Sequence, residues 1–180
     1  ADRLKEEKSA SAVVMDIHTG DILTMVSVPS FDPNTFARGI SSTEWKTLIE
    51  DPKRPLGNKA IGGQYPPGST FKMIVALAAL EAGVISEEHR VFCGGHTELG
   101  SHRFHCWKRG GHGWMDMEEA IAQSCDIYFY EIARKVGVDK IAEMAHRFGL
   151  GETLEIDILG ERKGLIPTRA WKEAVQGVSW

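Results

Sequence analysis

The sequence has no apolar run of membrane-spanning length, and it has no excess of basic residues. Its longest apolar run, residues 73–80, is far shorter than the ~20 residues that a bilayer-spanning helix needs. The formal net charge is -4, whereas domains that bind nucleic acids are usually strongly basic. These absences argue against a membrane span within the chain and against a nucleic-acid partner.

Cysteine is scarce, and the number of cysteines is odd. The chain contains only Cys93, Cys106 and Cys125. An odd number cannot form a complete set of intramolecular disulfides. The alternatives are a free thiol, an intermolecular bridge or ligation of a metal ion.

The first third of the chain predicts a β-hairpin followed by a surface excursion. Residues 12–17 and 21–28 are rich in Val, Ile and Met and flank a turn at residues 18–20 that contains glycine. Residues 29–34 have turn chemistry, and residues 36–60 are polar and interrupted by prolines. We therefore expect 36–60 to be irregular.

The remainder of the chain predicts mostly helices. A proline-proline-glycine entry at 66–68 precedes a helix that is apolar on nearly all sides and should be buried, with Gly83 near its end. Residues 91–113 read as a long loop or irregular ribbon, and helical patterns return at 117–123, 127–136 and 139–148. The tail, 155–180, shows one clear turn at 166–168. A hairpin followed by helices predicts an α/β or α+β domain.

A Ser-x-x-Lys tetrad begins that helix and suggests a nucleophile. Ser69 and Lys72 are three residues apart, so a helix places them on one face. A neutral amine beside a hydroxyl can accept its proton and activate it for attack on a carbonyl. The alternative is a helix-capping serine followed by an exposed lysine. A charged lysine in an otherwise apolar helix, however, needs a partner.

A second polar triplet, Ser124-Cys125-Asp126, lies 55 residues after Ser69 between two helical patterns. A serine hydroxyl that projects from an interhelical turn can relay a proton to a leaving amine, and Asp126 can face the same cleft. The alternative is that Ser124 and Asp126 are helix caps.

These motifs and their surroundings resemble the transpeptidase domain of class B penicillin-binding proteins, most closely penicillin-binding protein 2. The resemblance rests on six segments and extends from about residue 12 to about residue 170. They are 16–25 (DIHTGDILTM), 29–34 (PSFDPN), 54–60 (RPLGNKA), 65–72 (YPPGSTFK), 107–113 (WKRGGHG) and 124–130 (SCDIYFY).

The resemblance implies a D,D-transpeptidase that crosslinks peptidoglycan stem peptides in cell-wall elongation and is inhibited by β-lactam antibiotics. Ser69 would be the nucleophile, Lys72 its base and Ser124 the proton relay. Asp126 stands where the family often has Asn, so its role toward the substrate amide is open. The alternatives on the same fold are a noncatalytic β-lactam sensor or binding domain and a β-lactamase.

The third family motif, Lys-Thr-Gly, does not occur after Ser124. A similar triplet, His18-Thr19-Gly20, lies in the opening hairpin and reads as its turn. We therefore expect residues 1–180 to be the N-terminal and central part of a transpeptidase domain, with a penicillin-binding protein and serine β-lactamase-like fold that is incomplete at its C-terminal strands. Such a fragment is expected to be inactive by itself.

Cys93, Cys106, His112 and Cys125 form a candidate zinc site. Three thiolates and one imidazole suit tetrahedral Zn²⁺, and the metal would tie a glycine-rich loop to the Ser124 turn. Some relatives that resemble penicillin-binding protein 2 carry a metal in this region. The alternative is a Cys93–Cys106 disulfide with Cys125 buried and inert. His102 and His105 are rival ligands, but a simpler interpretation makes them solvated loop residues. Trp107 and Trp114 are expected to pack under the loop.

Localisation and partners follow from the resemblance alone. The chain begins at Ala1 without methionine, so we expect any targeting segment upstream. The full-length protein is expected at the periplasmic face of the bacterial inner membrane, anchored by an N-terminal helix outside this sequence. Its expected partners are stem peptides, β-lactams, and the glycosyltransferase and scaffold proteins of the elongation complex.

Overall fold

A computed structural model describes residues 9–178 of the chain. Within this range the chain folds into two compact units, one built from residues 9–65 and 155–162 and the other from 66–154 and 163–178. None of the helices in the described range is long and apolar enough to cross a bilayer.

The first unit is built around the predicted hairpin. Strand β1 (Ala10–Met15) pairs antiparallel with β2 (Ile22–Val28), and Ala12 lies opposite Val26. The turn between the strands contains Gly20 at φ 81°, a conformation that glycine adopts without steric cost. The hairpin prediction is confirmed.

Helices replace the irregular excursion that we expected at residues 36–60. Helices α1 (Pro33–Ala37), α2 (Ser42–Glu50) and α3 (Lys59–Gly62) follow the hairpin. The prediction was wrong because it gave weight to the prolines and overlooked a capping box. The Ser41 hydroxyl accepts from the Glu44 N–H, and the Glu44 carboxylate accepts from the Ser41 N–H. Lys59, buried in α3, donates to the carbonyls of Pro29 and Arg54.

The core of the second unit consists of three packed helices. A single 3₁₀ turn (Gly68–Phe71) leads into α4 (Lys72–Glu81), which packs against α6 (Asp126–Val136) and α7 (Val138–Arg147). A short helix, α5 (Met117–Ala122), precedes α6. The predicted helices are confirmed, and Gly83, at φ 63°, follows the C-cap of α4. The buried side chains of α4 are Ile74, Val75, Ala76, Ala78 and Ala79, whereas Met73 and Leu77 are exposed.

The region 91–113 is an ordered double ribbon. Strand β3 (Val91–Cys93) pairs with β6 (Gly113–Met115), and between them β4 (His96–Leu99) pairs with β5 (His102–His105). Gly111, at φ 76°, lies against the backbone of residues 93–95, where any β-carbon would collide with the Cys93 carbonyl. This close approach lets the His112 N–H donate to that carbonyl at 3.0 Å. Each strand is only three or four residues long, which is too short for an alternating pattern of apolar and polar residues to reveal it.

The tail contains a helix that the sequence analysis missed. Helix α8 (Arg169–Gln176) begins after Thr168, whose hydroxyl accepts from the Trp171 N–H, and is followed by Gly177 in the left-handed region. Residues 166–168, predicted as a turn, lead into this helix, and Thr168 is its extended N-cap. Among the described residues, the strands form three two-stranded sheets.

Candidate active site and metal centre

The nucleophile candidate lies at the entry to α4. Gly68 has φ 59°, which a residue with a β-carbon adopts only at a cost, and it turns the chain from Pro67 into the 3₁₀ turn. The Thr70 hydroxyl donates to the Pro67 carbonyl at 2.7 Å and closes this turn. Ser69 is thereby exposed at the start of the helix, one turn before Lys72.

Ser124 lies in a strained turn between α5 and α6. Its φ is 52°, in the left-handed region that residues other than glycine rarely adopt. The Ser124 N–H donates to the Ile121 carbonyl at 3.1 Å, and the Cys125 N–H donates to the Ala120 carbonyl at 2.9 Å. The end of α5 thus fixes both amides of the turn, and the Ser124 side chain reaches the entry of α4.

A hydrogen-bonded network joins the two motifs. The Ser124 hydroxyl donates to the Ser69 hydroxyl at 2.9 Å. The Lys72 ammonium donates to the Ser124 hydroxyl at 3.0 Å, to the Ser124 carbonyl at 2.9 Å and to the Asp126 carboxylate at 2.6 Å. Lys72 and Asp126 expose only 15% and 21% of their side chains, so this ion pair is partly shielded from solvent. The lysine is therefore linked to Ser69 through Ser124.

The Asp126 carboxylate is held in its charged form. Burial by itself would raise its pKa, but the hydrogen bonds from Lys72 and from the Trp107 N–H, the latter 2.9 Å long, outweigh burial and lower the pKa below its ordinary range. Lys72 also lies 5.6 Å from the centre of the Phe129 ring. The site thus contains a charged pair, two hydroxyls in contact and an aromatic wall.

The four predicted metal ligands converge in the second unit. The ligand atoms of Cys93, Cys106, His112 and Cys125 all lie within 4.8 Å of one another. The Nδ1 atom of His112 is 3.5 Å from the sulfurs of both Cys93 and Cys106. Zn–S bonds of about 2.3 Å and a Zn–N bond of about 2.0 Å at tetrahedral angles separate S from N by roughly 3.5 Å. The donor set and its spacing therefore fit zinc.

Burial and backbone hydrogen bonds together shift the pKa values of this cluster. Burial, followed by the neighbouring Cys93 and Cys106 thiols, raises the pKa of Cys125 to about 12. Burial acts in the same direction on Cys93, but backbone N–H donors from Gly95 and His112 outweigh it and lower that pKa. Burial, reinforced by Lys108, lowers the pKa of His112, so its imidazole is held neutral. All three cysteines are free thiols.

Comparison with protein families identifies this arrangement. Residues 10–179 match the penicillin-binding protein transpeptidase domain.

The chain belongs to that family.

Solved and curated relatives within the family agree with this assignment. The chain is 44% identical to the peptidoglycan D,D-transpeptidase MrdA of Escherichia coli over 166 residues, which is 91% of this chain. It superimposes on Pseudomonas aeruginosa PBP2, solved in complex with WCK 5153, with a TM-score of 0.88 and 43% identity over 94% of this chain. Helicobacter pylori PBP2, solved with MreC, gives a TM-score of 0.93 and 35% identity over 99% of this chain. The predicted fold class and the resemblance to penicillin-binding protein 2 are confirmed.

The match covers a minor part of each relative. The chain spans 26% of the length of the Escherichia coli protein. It spans 38% of the Pseudomonas aeruginosa chain and 34% of the Helicobacter pylori chain. The family membership thus concerns the segment that carries the first two transpeptidase motifs.

The structure places the predicted site residues of this penicillin-binding protein in two adjoining groups. Ser69, Lys72, Ser124 and Asp126 share one network, and Cys125 joins that network to the metal-ligand cluster. The lysine has the partner that its apolar helix requires, namely Asp126. Capping does not account for the second motif, because the N-cap of α6 is Cys125 and makes no side-chain capping bond.

The rival histidines and the two tryptophans of the ribbon lie at its surface. His102 and His105 are exposed on the β4–β5 hairpin and do not belong to the described metal-ligand group, as expected of solvated residues. Trp107 and Trp114 do not pack under the loop, because they expose 65% and 59% of their surface. The role of Trp107 was missed because its partners, Gln123 and Asp126, lie 16 and 19 residues away along the chain.

Proposed function

We propose that this segment provides the acylation apparatus of a peptidoglycan D,D-transpeptidase that acts in cell-wall elongation. The observation that carries the proposal is the continuous chain from Ser69 through the Ser124 hydroxyl to the Lys72 amine, with separations of 2.9 and 3.0 Å. Two hydroxyls and an amine in hydrogen-bonded sequence can move a proton off the attacking oxygen and return it to a leaving group. Ser69 at the exposed end of this chain is the nucleophile.

The reaction has two acyl transfers. The Ser69 oxygen attacks the carbonyl of the penultimate D-Ala of a donor stem peptide, its proton enters the Ser124–Lys72 chain, and the C–N bond to the terminal D-Ala breaks. The departing amine takes the proton. The amine of a neighbouring stem then attacks the Ser69 ester, a new amide forms, and the Ser69 oxygen recovers a proton. With a β-lactam, the Ser69 oxygen attacks the carbonyl of the ring amide, the ring C–N bond opens, and the acyl group stays bound to Ser69.

Each residue of the network has a distinct part in this scheme. Ser124 relays the proton because its hydroxyl lies between Ser69 and Lys72. Lys72 is the base at the far end of the chain. Asp126 anchors Lys72 and is itself fixed by the Trp107 N–H, so it orients the base.

The test is labelling with a fluorescent penicillin. It uses the complete transpeptidase domain that carries this sequence, because the third family motif is not among these residues. We expect a stable covalent adduct, loss of the adduct in Ser69→Ala, and normal labelling in Ser101→Ala, which removes an exposed hydroxyl elsewhere. No adduct at Ser69 would refute the enzymatic account. Rapid turnover of the adduct would indicate a β-lactamase, and labelling without transfer between stem peptides would indicate a sensor.

We also propose that Cys93, Cys106, His112 and Cys125 hold a structural Zn²⁺. The proposal is supported by the convergence of three thiols and one imidazole within 4.8 Å, where the buried thiols have no disulfide. The Nδ1 atom of His112 faces the sulfurs, so it is the ligand, and its buried Nε2 atom has no hydrogen-bond partner in the described residues. Zinc supplies charge neutralisation for the thiolates, and the residues hold the ribbon to the Ser124 turn.

Metal analysis and cobalt substitution test this site. We expect one zinc per chain, and a cobalt-substituted protein with the absorption of tetrahedral thiolate ligation. Cys93→Ser should lose both signals, whereas the matched change His102→Asn on the exposed hairpin should keep them. A chelator should lower the melting temperature of the zinc form. A Cys93–Cys106 disulfide in protein purified without reductant, with no metal, would refute the proposal.

The cellular setting is a further proposal. We infer that the protein carrying this segment is anchored to the bacterial inner membrane, works on its periplasmic face, and assembles with a glycosyltransferase and scaffold proteins. The similarity to Helicobacter pylori PBP2, which was solved with MreC, supports the scaffold partner. Protease accessibility of the whole protein in spheroplasts tests the location. Protection from protease added outside the inner membrane would contradict it.

A further inference from the structure

Trp107 makes three specific contacts although most of its surface is exposed. Its indole N–H donates to the Gln123 carbonyl at 3.0 Å. Its backbone N–H donates to the Asp126 carboxylate at 2.9 Å. Its ring meets the ring of His112 edge to face, with the centroids 5.5 Å apart. A tryptophan with 65% of its surface exposed gains little from burial, so these polar contacts account for its placement.

The two hydrogen bonds bracket the strained residue. Gln123 precedes Ser124, and Asp126 follows it by two positions, so Trp107 holds both sides of the turn in which Ser124 has φ 52°. A residue in this conformation stays there only when its surroundings enforce it. We propose that Trp107 is a positioning residue, whose indole N–H and backbone N–H hold the Ser124 turn in the conformation that aims its hydroxyl at Ser69 and Lys72.

The position of Trp107 also connects the network with the thiol cluster. Trp107 follows Cys106 directly, Ser124 precedes Cys125 directly, and the Trp107 ring packs on His112. Two proposed ligands therefore hold Trp107: Cys106 precedes it in the backbone, and His112 contacts its ring. Phenylalanine at 107 would keep the ring contact and the backbone N–H and would lose only the indole N–H.

The kinetic test rests on the proposed function and uses the complete domain. Acylation by a β-lactam is separated into a binding constant and an acylation rate constant for wild type, Trp107→Phe and Trp114→Phe. The loss of one neutral hydrogen bond corresponds to about a fivefold effect. We therefore expect Trp107→Phe to lower the acylation rate constant roughly fivefold with unchanged binding and an unchanged cobalt spectrum. Trp114→Phe, on an exposed indole with no hydrogen bond in the described residues, should change neither constant.

Two results would overturn the proposal. Weaker binding with an unchanged acylation rate constant would make Trp107 a substrate-contacting surface and not a positioning residue. Unchanged values for both constants would show that the indole hydrogen bond does not hold the turn.

A second measurement on the 180-residue chain separates this proposal from the catalytic one. Exchange of the indole protons with solvent is followed by NMR, with the exposed Trp114 indole as the internal reference. We expect the Trp107 indole proton to exchange at least tenfold more slowly and the Ser124 amide signal to move in Trp107→Phe. Equal exchange of the two indoles would overturn the proposal. If the whole domain failed to acylate, the proposed function would fail, and this measurement would still decide whether Trp107 holds the turn.

Discussion

The positive φ of Ser124 predicts an inverted response to glycine. At most positions glycine is less stable than alanine, by about 1 kcal/mol in a helix. At φ 52° a residue with a β-carbon is strained by roughly 1–2 kcal/mol, and glycine is not. The greater freedom of glycine in the unfolded chain offsets roughly 0.5–1 kcal/mol of this difference. The free energy of unfolding of Ser124→Gly should therefore exceed that of Ser124→Ala by roughly 0.5–1 kcal/mol.

The measurement compares two pairs of variants by urea unfolding of the chain in the presence of zinc. The first pair is Ser124→Gly and Ser124→Ala, which both lose the hydroxyl and differ only in the β-carbon. The control pair is Lys140→Gly and Lys140→Ala at an exposed site in α7. The glycine-minus-alanine differences at the two sites should have opposite signs and be separated by roughly 1.5–2 kcal/mol. That separation corresponds to several degrees in melting temperature, since 1 kcal/mol shifts a domain of this size by about 2–4 °C.

Catalysis should respond differently from stability. Both Ser124 variants lack the hydroxyl that we propose as the proton relay, so each should slow acylation in the complete domain by at least ~10²-fold. If Ser124→Gly proved less stable than Ser124→Ala, as expected for the control pair at position 140, the argument that the turn is strained would be refuted. Retained acylation in either variant would refute the relay role of Ser124.

Two further predictions concern buried polar contacts. The pKa of Asp126 in the folded chain lies below the ordinary value of 3.8, so its stabilising effect is complete above about pH 5 and is lost as the pH falls through 3.8 and below. The stability advantage of wild type over Asp126→Asn in urea unfolding should therefore shrink on acidification. A pH-independent difference would contradict the ion pair. The buried Tyr128 hydroxyl donates to the His89 carbonyl at 3.2 Å, so Tyr128→Phe should lower the free energy of unfolding by about 1 kcal/mol, whereas Tyr130→Phe, with its ring more exposed, should change it by less than about 0.5 kcal/mol.

The sequence was informative where chemistry is local. Ser69 and Lys72 are one helical turn apart, so their shared face follows from the spacing alone. The turn of the first hairpin likewise follows from Gly20 and its neighbours. The capping boxes at Ser41 and Asp116 were also readable, because each has Glu three residues later, and overlooking the first one led to the wrong prediction for residues 36–60.

Contacts between distant parts of the chain could not be predicted by the same means. The spacing of 55 positions from Ser69 to Ser124 determines neither their 2.9 Å separation nor the fact that Ser124 stands between Ser69 and Lys72. The left-handed conformation of Ser124 depends on the end of α5 and on Trp107, and serine itself gives no sign of it. The family resemblance predicted which residues belong to the site, and the packing of α4 against α6 determines how they are connected.

The Lys72 amine has a full set of acceptors in this structure. An ammonium group has three protons, and those of Lys72 are directed to the Ser124 carbonyl, the Ser124 hydroxyl and the Asp126 carboxylate. The position of the nitrogen therefore depends on both residues of the Ser124 turn that supply these acceptors. Loss of any one acceptor would leave one side of a partly shielded amine without a partner.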